Sequence, residues 1–102
     1  MWVLDTFLQV VSDVTEISGK DIISRSRQED IVLARKIFVN ICLKYGISTR
    51  QIAETLHRSK EGIRRFYVQS ISDESRKIYQ IFYQQTDKKI KELNFNNTVE
   101  TA

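Results

Sequence analysis

The residues of this chain with chemistry to offer are basic, and they cluster around two short apolar segments between Ser48 and Phe66, STRQIAETLHRSKEGIRRF. Ile52, Ala53 and Leu56 fall at i, i+1 and i+4, one face of a short helix, and Ile63 and Phe66 give a second helix its inward face. Lys60, Glu61, Arg64 and Arg65 then point outward, as long side chains able to reach phosphates and base edges in a DNA major groove. The spacing predicts a helix-turn-helix over about residues 48–69. Ser48 and Gln51 have the spacing of a capping box for the first helix, and Ser59 can cap the second. His57-Arg58 must form the tight turn, at a point where positive φ usually calls for Gly. Two packed helices with a solvated charged face would show the same periodicity, so the distribution of charge has to decide between the readings.

Sixteen Lys and Arg against thirteen Asp and Glu give +3 over 102 residues, a mild excess. From Lys44 to Arg65, however, six basic residues (Lys44, Arg50, Arg58, Lys60, Arg64, Arg65) face two acids (Glu54, Glu61), so this window carries +4 and the remainder −1. Positive charge is concentrated where a phosphate-binding footprint requires it.

Other chemistry finds little support. The single His57 has no Cys, Asp or Glu at metal-ligand spacing, which predicts no metal site. No glycine-rich loop could cradle a nucleotide, and Glu29-Asp30 suits a helix start better than acid–base work. Tyr79 and Tyr83, four apart on a helix, fit packing or a partner surface better than base stacking. We therefore expect neither enzyme activity, cofactor nor small-molecule substrate. Cys42 stands alone in an apolar helical run, so it reads as a buried small side chain in a reduced, cytoplasmic protein. The N-terminal apolar run is broken by Asp5, Thr6 and Gln9 and lacks a basic start, unlike a signal peptide or a membrane span.

The elements that position the basic residues can be read in order. With no Pro and three Gly, the composition predicts an all-α fold, a small bundle of five to six helices forming one domain over residues 1–93, followed by a polar tail, 94–102, expected to be disordered. Val3, Phe7, Val10, Val11 and Val14 form the stripe of an opening helix to about Thr15, with Trp2 packed at its end. Ser18 and Asp21 cap a second helix of about two turns through Ile23. Ser24-Arg25-Ser26-Arg27 is a basic loop, and Ser26 with Glu29 has capping-box spacing for a long scaffold helix, about Arg27 to Tyr45, stopped by Gly46. A last helix, about Asp73 to Leu93, offers Ile78, Ile81, Phe82, Ile90 and Leu93 to the bundle, with Tyr79 and Tyr83 on a flanking strip.

The stretch VSDVTEISGKDIISRSRQEDIVLAR, Val11 to Arg35, resembles the C-terminal DNA-binding domain of DnaA, the bacterial replication initiator. That family follows a Thr-Gly-Ile-like turn with a short helix, a basic loop and a long helix opening on Ile-Val-x-Ala-Arg. Here these are Thr15-Glu16-Ile17, Asp21-Ile22-Ile23, Arg25-Ser26-Arg27 and Ile31-Val32-Leu33-Ala34-Arg35, and the order continues through Ser48 to Ala53, so the likeness covers about Phe7 to Ile71. The resemblance implies a Trp-repressor-like helical domain that places its helix-turn-helix in the major groove and a loop arginine, by position Arg27, in the adjacent minor groove, where narrow A·T-rich grooves attract guanidinium. It also implies that Arg35, Lys36, Thr49 and Arg50 lie near the DNA. The family's Asp-His-Ser/Thr-Thr-Val signature is replaced by Ser59-Lys60-Glu61-Gly62-Ile63, which implies a changed sequence preference.

Two readings follow. In the first, the chain is a stand-alone binder of double-stranded DNA: Ser59, Lys60, Glu61, Arg64 and Arg65 face the major groove, Arg27 and its neighbour Arg25 belong to the minor-groove loop, and Lys36, Arg50 and Arg58 meet phosphates, with a homodimer compatible. In the second, the scaffold serves as a protein-interaction module, with Tyr79, Phe82 and Tyr83 of the last helix as its contact surface.

Overall fold

A computed structural model of the protein describes the backbone of residues 2–67 and 71–101 and the side chains of residues 3–67 and 71–93. Among the described residues it holds six α-helices, one 3-10 turn and no strand. α1 (Trp2–Thr15) buries Leu4, Phe7, Val10 and Val11. Val3, expected on this stripe, is 39% exposed. It lies one residue, roughly 100° of helix, from Leu4, which takes the inward position. The side chain of Trp2 lies outside the described residues. Glu16 takes a left-handed conformation (φ 61°) and ends the helix.

α2 (Gly19–Ile22) is a single turn, shorter than expected, and Ser18 Oγ caps it by accepting from Asp21 N at 3.1 Å. α3 (Glu29–Lys44) is the scaffold and buries Ala34, Ile37, Phe38, Ile41 and Cys42. It begins two residues later than the sequence suggests, and the Ser26–Glu29 capping box does not form. Gln28 is the cap residue and makes no side-chain bond to the helix. Ser26 Oγ instead accepts from Gln28 N (3.3 Å), a local turn that competes with the cap. At the other end Gly46 has φ 83° and Ile47 N donates to Cys42 O, the glycine stop that the sequence announces.

α4 (Thr49–Leu56) carries the full Ser48–Gln51 capping box and buries Ile52, Ala53 and Leu56. α5 (Lys60–Ile63), capped by Ser59, is one turn and tightens into a 3-10 turn, Arg64–Phe66. The second helix of the motif is therefore much shorter than predicted. Gly62 weakens it, and Tyr67 turns to extended backbone immediately after Phe66. Residues 68 and 69, the expected end of the motif, lie outside the described residues.

α6 (Asp73–Thr101) runs beyond Leu93 into the segment read from sequence as a tail; no Gly or Pro interrupts it, and side chains from residue 94 on lie outside the described set. Its buried stripe differs from the predicted one. Ile90 is buried and Phe82 packs against the core as expected, but Tyr79 and Thr86 face inward too, whereas Ile78, Ile81 and Leu93 are exposed. The register is fixed by Asp87, which accepts from Lys44 Nζ at 2.6 Å and from Tyr45 Oη. Tyr79 is 3% exposed and stacks on Tyr83, so it cannot be the centre of a contact surface on this helix. α1, α3 and α6 pack on one another, α2 closes against α1 and α3, and α4 and the 3-10 turn rest on α3.

Candidate nucleic-acid interface

The basic loop is built on a buried guanidinium. A one-turn helix leaves its last carbonyls short of intrahelical donors, and Arg35 of α3 bonds two of them and one loop carbonyl: Nε donates to Ile22 O (2.7 Å), Nη2 to Asp21 O (3.3 Å), which also accepts from Ser24, and Nη1 to Ser26 O of the basic loop (3.0 Å). The fixed fork of arginine serves three acceptors at once. Arg35 is 1% exposed, which corrects the expectation that it lies near DNA: it is not placed to reach a phosphate, and it holds the basic loop in place. Burial, then the neighbouring Arg58, lowers its pKa from the usual arginine value.

The loop and the helix-turn-helix brace each other. Arg25 Nη2 donates to His57 O at 3.1 Å, and Arg58 Nη2 returns a longer bond of 3.5 Å to Ser24 O. His57 is the left-handed residue of the turn (φ 56°, ψ 45°) and fills the place where the motif usually has Gly. Arg58 Cζ lies 5.1 Å from the centroid of Phe66, and Arg35 Cζ lies 5.8 Å from it, so one aromatic ring carries both cations. Asn40 of α3 donates to Phe66 O at 2.7 Å and pins the end of the 3-10 turn to the scaffold.

Two adjoining cavities open along this seam. The inner one, about 330 Å³, has Arg25, Arg27, Arg35, Arg58, Arg65 and Phe66 in its wall and, among the described residues, no carboxylate. The outer one, about 690 Å³, shares Arg25, Arg58 and Arg65, and adds Ser59 with the acids Glu54 and Glu61. Burial, then Arg25 and Arg65, lowers the pKa of Arg58, as expected where like charges gather. Its Nε is buried and finds no partner among the described residues.

Of the residues singled out from sequence, the fold thus brings Arg25, Arg27, Arg35, Arg58, Ser59, Glu61 and Arg65 to one seam. Lys36, Thr49, Arg50, Lys60 and Arg64 line neither cavity. Lys60 and Arg64 are exposed on the short second helix and its 3-10 extension, Lys36 and Thr49 are half-buried, and Arg50 pairs with Glu54 of its own helix at 3.3 Å. Sequence reasoning missed Phe66 as a platform for arginines, having read it only as an inward apolar anchor. It also missed the carbonyls of Ser24 and His57, since no residue-type signal marks a backbone acceptor. Among the described residues no group of His, Cys, Asp and Glu could hold a metal ion, and no helix is long and apolar enough to cross a membrane.

Residues 4–61 match the family model described as the bacterial dnaA protein helix-turn-helix. No curated protein and no solved structure matches the chain.

Proposed function

This chain belongs to the bacterial DnaA helix-turn-helix family, and from that premise we propose that it is an independent binder of double-stranded DNA, with the helix-turn-helix in the major groove and the basic loop at the adjacent minor groove. The observation that carries this reading is the reciprocal brace. The two segments that would enter neighbouring grooves are tied to each other through Arg25–His57 and Arg58–Ser24. They can therefore meet the duplex as one body, with little ordering cost on binding.

In this arrangement Ser59, Lys60, Glu61, Arg64 and Arg65 read the major groove, Arg27 enters the minor groove, and Lys36, Thr49 and Arg50 touch the backbone. Arg25 and Arg58 brace the seam and turn their remaining N–H groups to phosphate, while Arg35 acts only as a positioning residue. The head Ser59-Lys60-Glu61-Gly62-Ile63 offers donors and acceptors different from the family's Asp-His-Ser/Thr-Thr-Val, so its preferred site differs too. The reading is tested by titrating a labelled random duplex with the wild-type protein and with a Lys60→Glu, Arg65→Glu double variant of unchanged helicity. Tight binding by the first and none by the second supports it. Equal affinity, or no binding by either, contradicts it.

A second reading, as a protein-interaction module, is favoured by one feature. Ile78 and Ile81 of α6 stand 51% and 47% exposed on the same side of the helix. They replace Tyr79 as the residues that a protein partner on this helix would cover.

A further inference from the structure

We propose that the inner cavity between the basic loop and the helix-turn-helix is a seat for one phosphate group. Its wall is lined by Arg25, Arg27, Arg58 and Arg65 around the buried Arg35, whose own N–H groups are spent on backbone carbonyls, and among the described residues no carboxylate joins them. Glu54 and Glu61 line only the outer cavity. Confining like charges in a partly dehydrated space is unfavourable until an anion joins them. Arg58 Nε is already stripped of water and unpartnered among the described residues, so it carries the cost of a missing acceptor.

A tetrahedral phosphate suits this wall better than a planar carboxylate, because its several oxygens can engage forks arriving from different directions. An aromatic base does not suit it. Phe66, the one ring among the described residues of the wall, is 6% exposed and already carries Arg35 and Arg58. The seat lies in the seam itself and draws on Arg27 and Arg65, which the DNA reading also assigns to the two grooves, together with the bracing residues Arg25 and Arg58; its existence does not depend on that reading, and only the source of the phosphate does. The phosphate comes either from a nucleic-acid backbone or from a free phosphate ion. Filling the seat neutralises the arginines that face one another across the brace and so holds the loop to the turn.

The test is thermal unfolding of the full chain in rising inorganic phosphate, against sodium chloride of matched ionic strength, for the wild type and for Arg58→Gln and Arg65→Gln. The wild type is expected to gain several degrees in Tm, saturably, in phosphate only, and each variant to lose most of that gain relative to its own chloride value. If Arg58→Gln does not fold, the exposed Arg65→Gln carries the comparison. A gain that is equal in chloride, or unchanged in the variants, overturns the seat. Where the gain is specific, titration of a labelled duplex in phosphate identifies the source. Competition assigns the seat to a backbone phosphate, and enhanced duplex binding assigns it to a free ion. Stabilisation by phosphate without any duplex binding would overturn the DNA reading and leave the seat standing.

Discussion

Arg25 of the basic loop donates to the backbone carbonyl of His57 across 3.1 Å, tying a loop and a turn that lie 32 residues apart in the chain. Arg58, the next residue of that turn, reaches back to Ser24 O, so each segment supplies both a donor and an acceptor. If this brace sets the distance between two groove-reading segments, the effects of Arg25 and Arg27 on DNA affinity are not independent. We expect Arg27→Ala to weaken binding chiefly at A·T-rich flanks, and to cost less in an Arg25→Ala background, with a coupling of about 0.5–3 kcal/mol in the double-mutant cycle. Additive losses would show that Arg25 is a separate phosphate contact.

Arg35 separates a positioning role from a contact role. Arg35→Ala takes the guanidinium donor from the carbonyls of Ile22 and Ser26, while Asp21 O keeps its bonds from Ser24, and opens a hole beside Phe66. Denaturant unfolding should show a loss of about 2–4 kcal/mol. At a temperature where the variant is folded, the salt dependence of DNA binding should keep its wild-type slope. A slope lower by about 1 would mean that Arg35 touches a phosphate after all.

His57 holds φ 56° without being Gly. A side chain in that region is strained, so His57→Gly is expected to raise stability by about 1 kcal/mol, and His57→Val to lower it. Arg25 bonds only the backbone carbonyl at this position, so DNA affinity should survive the Gly substitution. A destabilised Gly variant would assign the imidazole a packing role that its exposed position does not suggest.

Asp87 connects α6 to the end of α3. Burial alone would push its carboxyl up, but hydrogen bonds from Lys44, Tyr45 and Lys91 together outweigh that and hold it below its usual value. A depressed folded pKa means that the stability this group lends is complete above about pH 4 and is lost as pH falls through the folded value. Asp87→Asn should therefore cost about 1–2 kcal/mol at neutral pH and flatten the acid side of the stability profile. An undiminished gap between the two proteins at pH 2 would show that the contribution is not electrostatic.

How much of this was legible in the sequence depends on whether a feature is local. The Ser48–Gln51 box, the Ser59 and Ser18 caps and the Gly46 stop involve neighbours within one turn, and all stand where residue type and spacing place them. The Ser26–Glu29 box has equally good spacing and does not form, because Ser26 O is taken by Arg35, nine residues on, and its hydroxyl closes a loop turn. On α6 two stripes overlap, one through Ile78 and Ile81, the other through Tyr79 and the polar Thr86 to Ile90, the member of the expected set that is fully buried. Periodicity cannot choose between them, whereas bonds from Lys44 and Tyr45 to Asp87, more than forty residues away, do. The site shows the same division. Clustered charge marked the region, but nothing in residue order distinguishes a surface arginine from Arg35, whose partners are carbonyls of a one-turn helix and of the loop after it.

DNA reading by this protein is measured by selecting duplexes from a random-sequence pool with the purified protein at two salt concentrations and sequencing the bound fraction. The brace and the altered reading head together predict an enriched motif, joined to an A·T-rich flank on the loop side, and affinity that falls steeply as salt rises. Salt-insensitive retention with no enriched sequence, or no retention at low salt, would contradict the account and direct attention to Ile78 and Ile81 on α6.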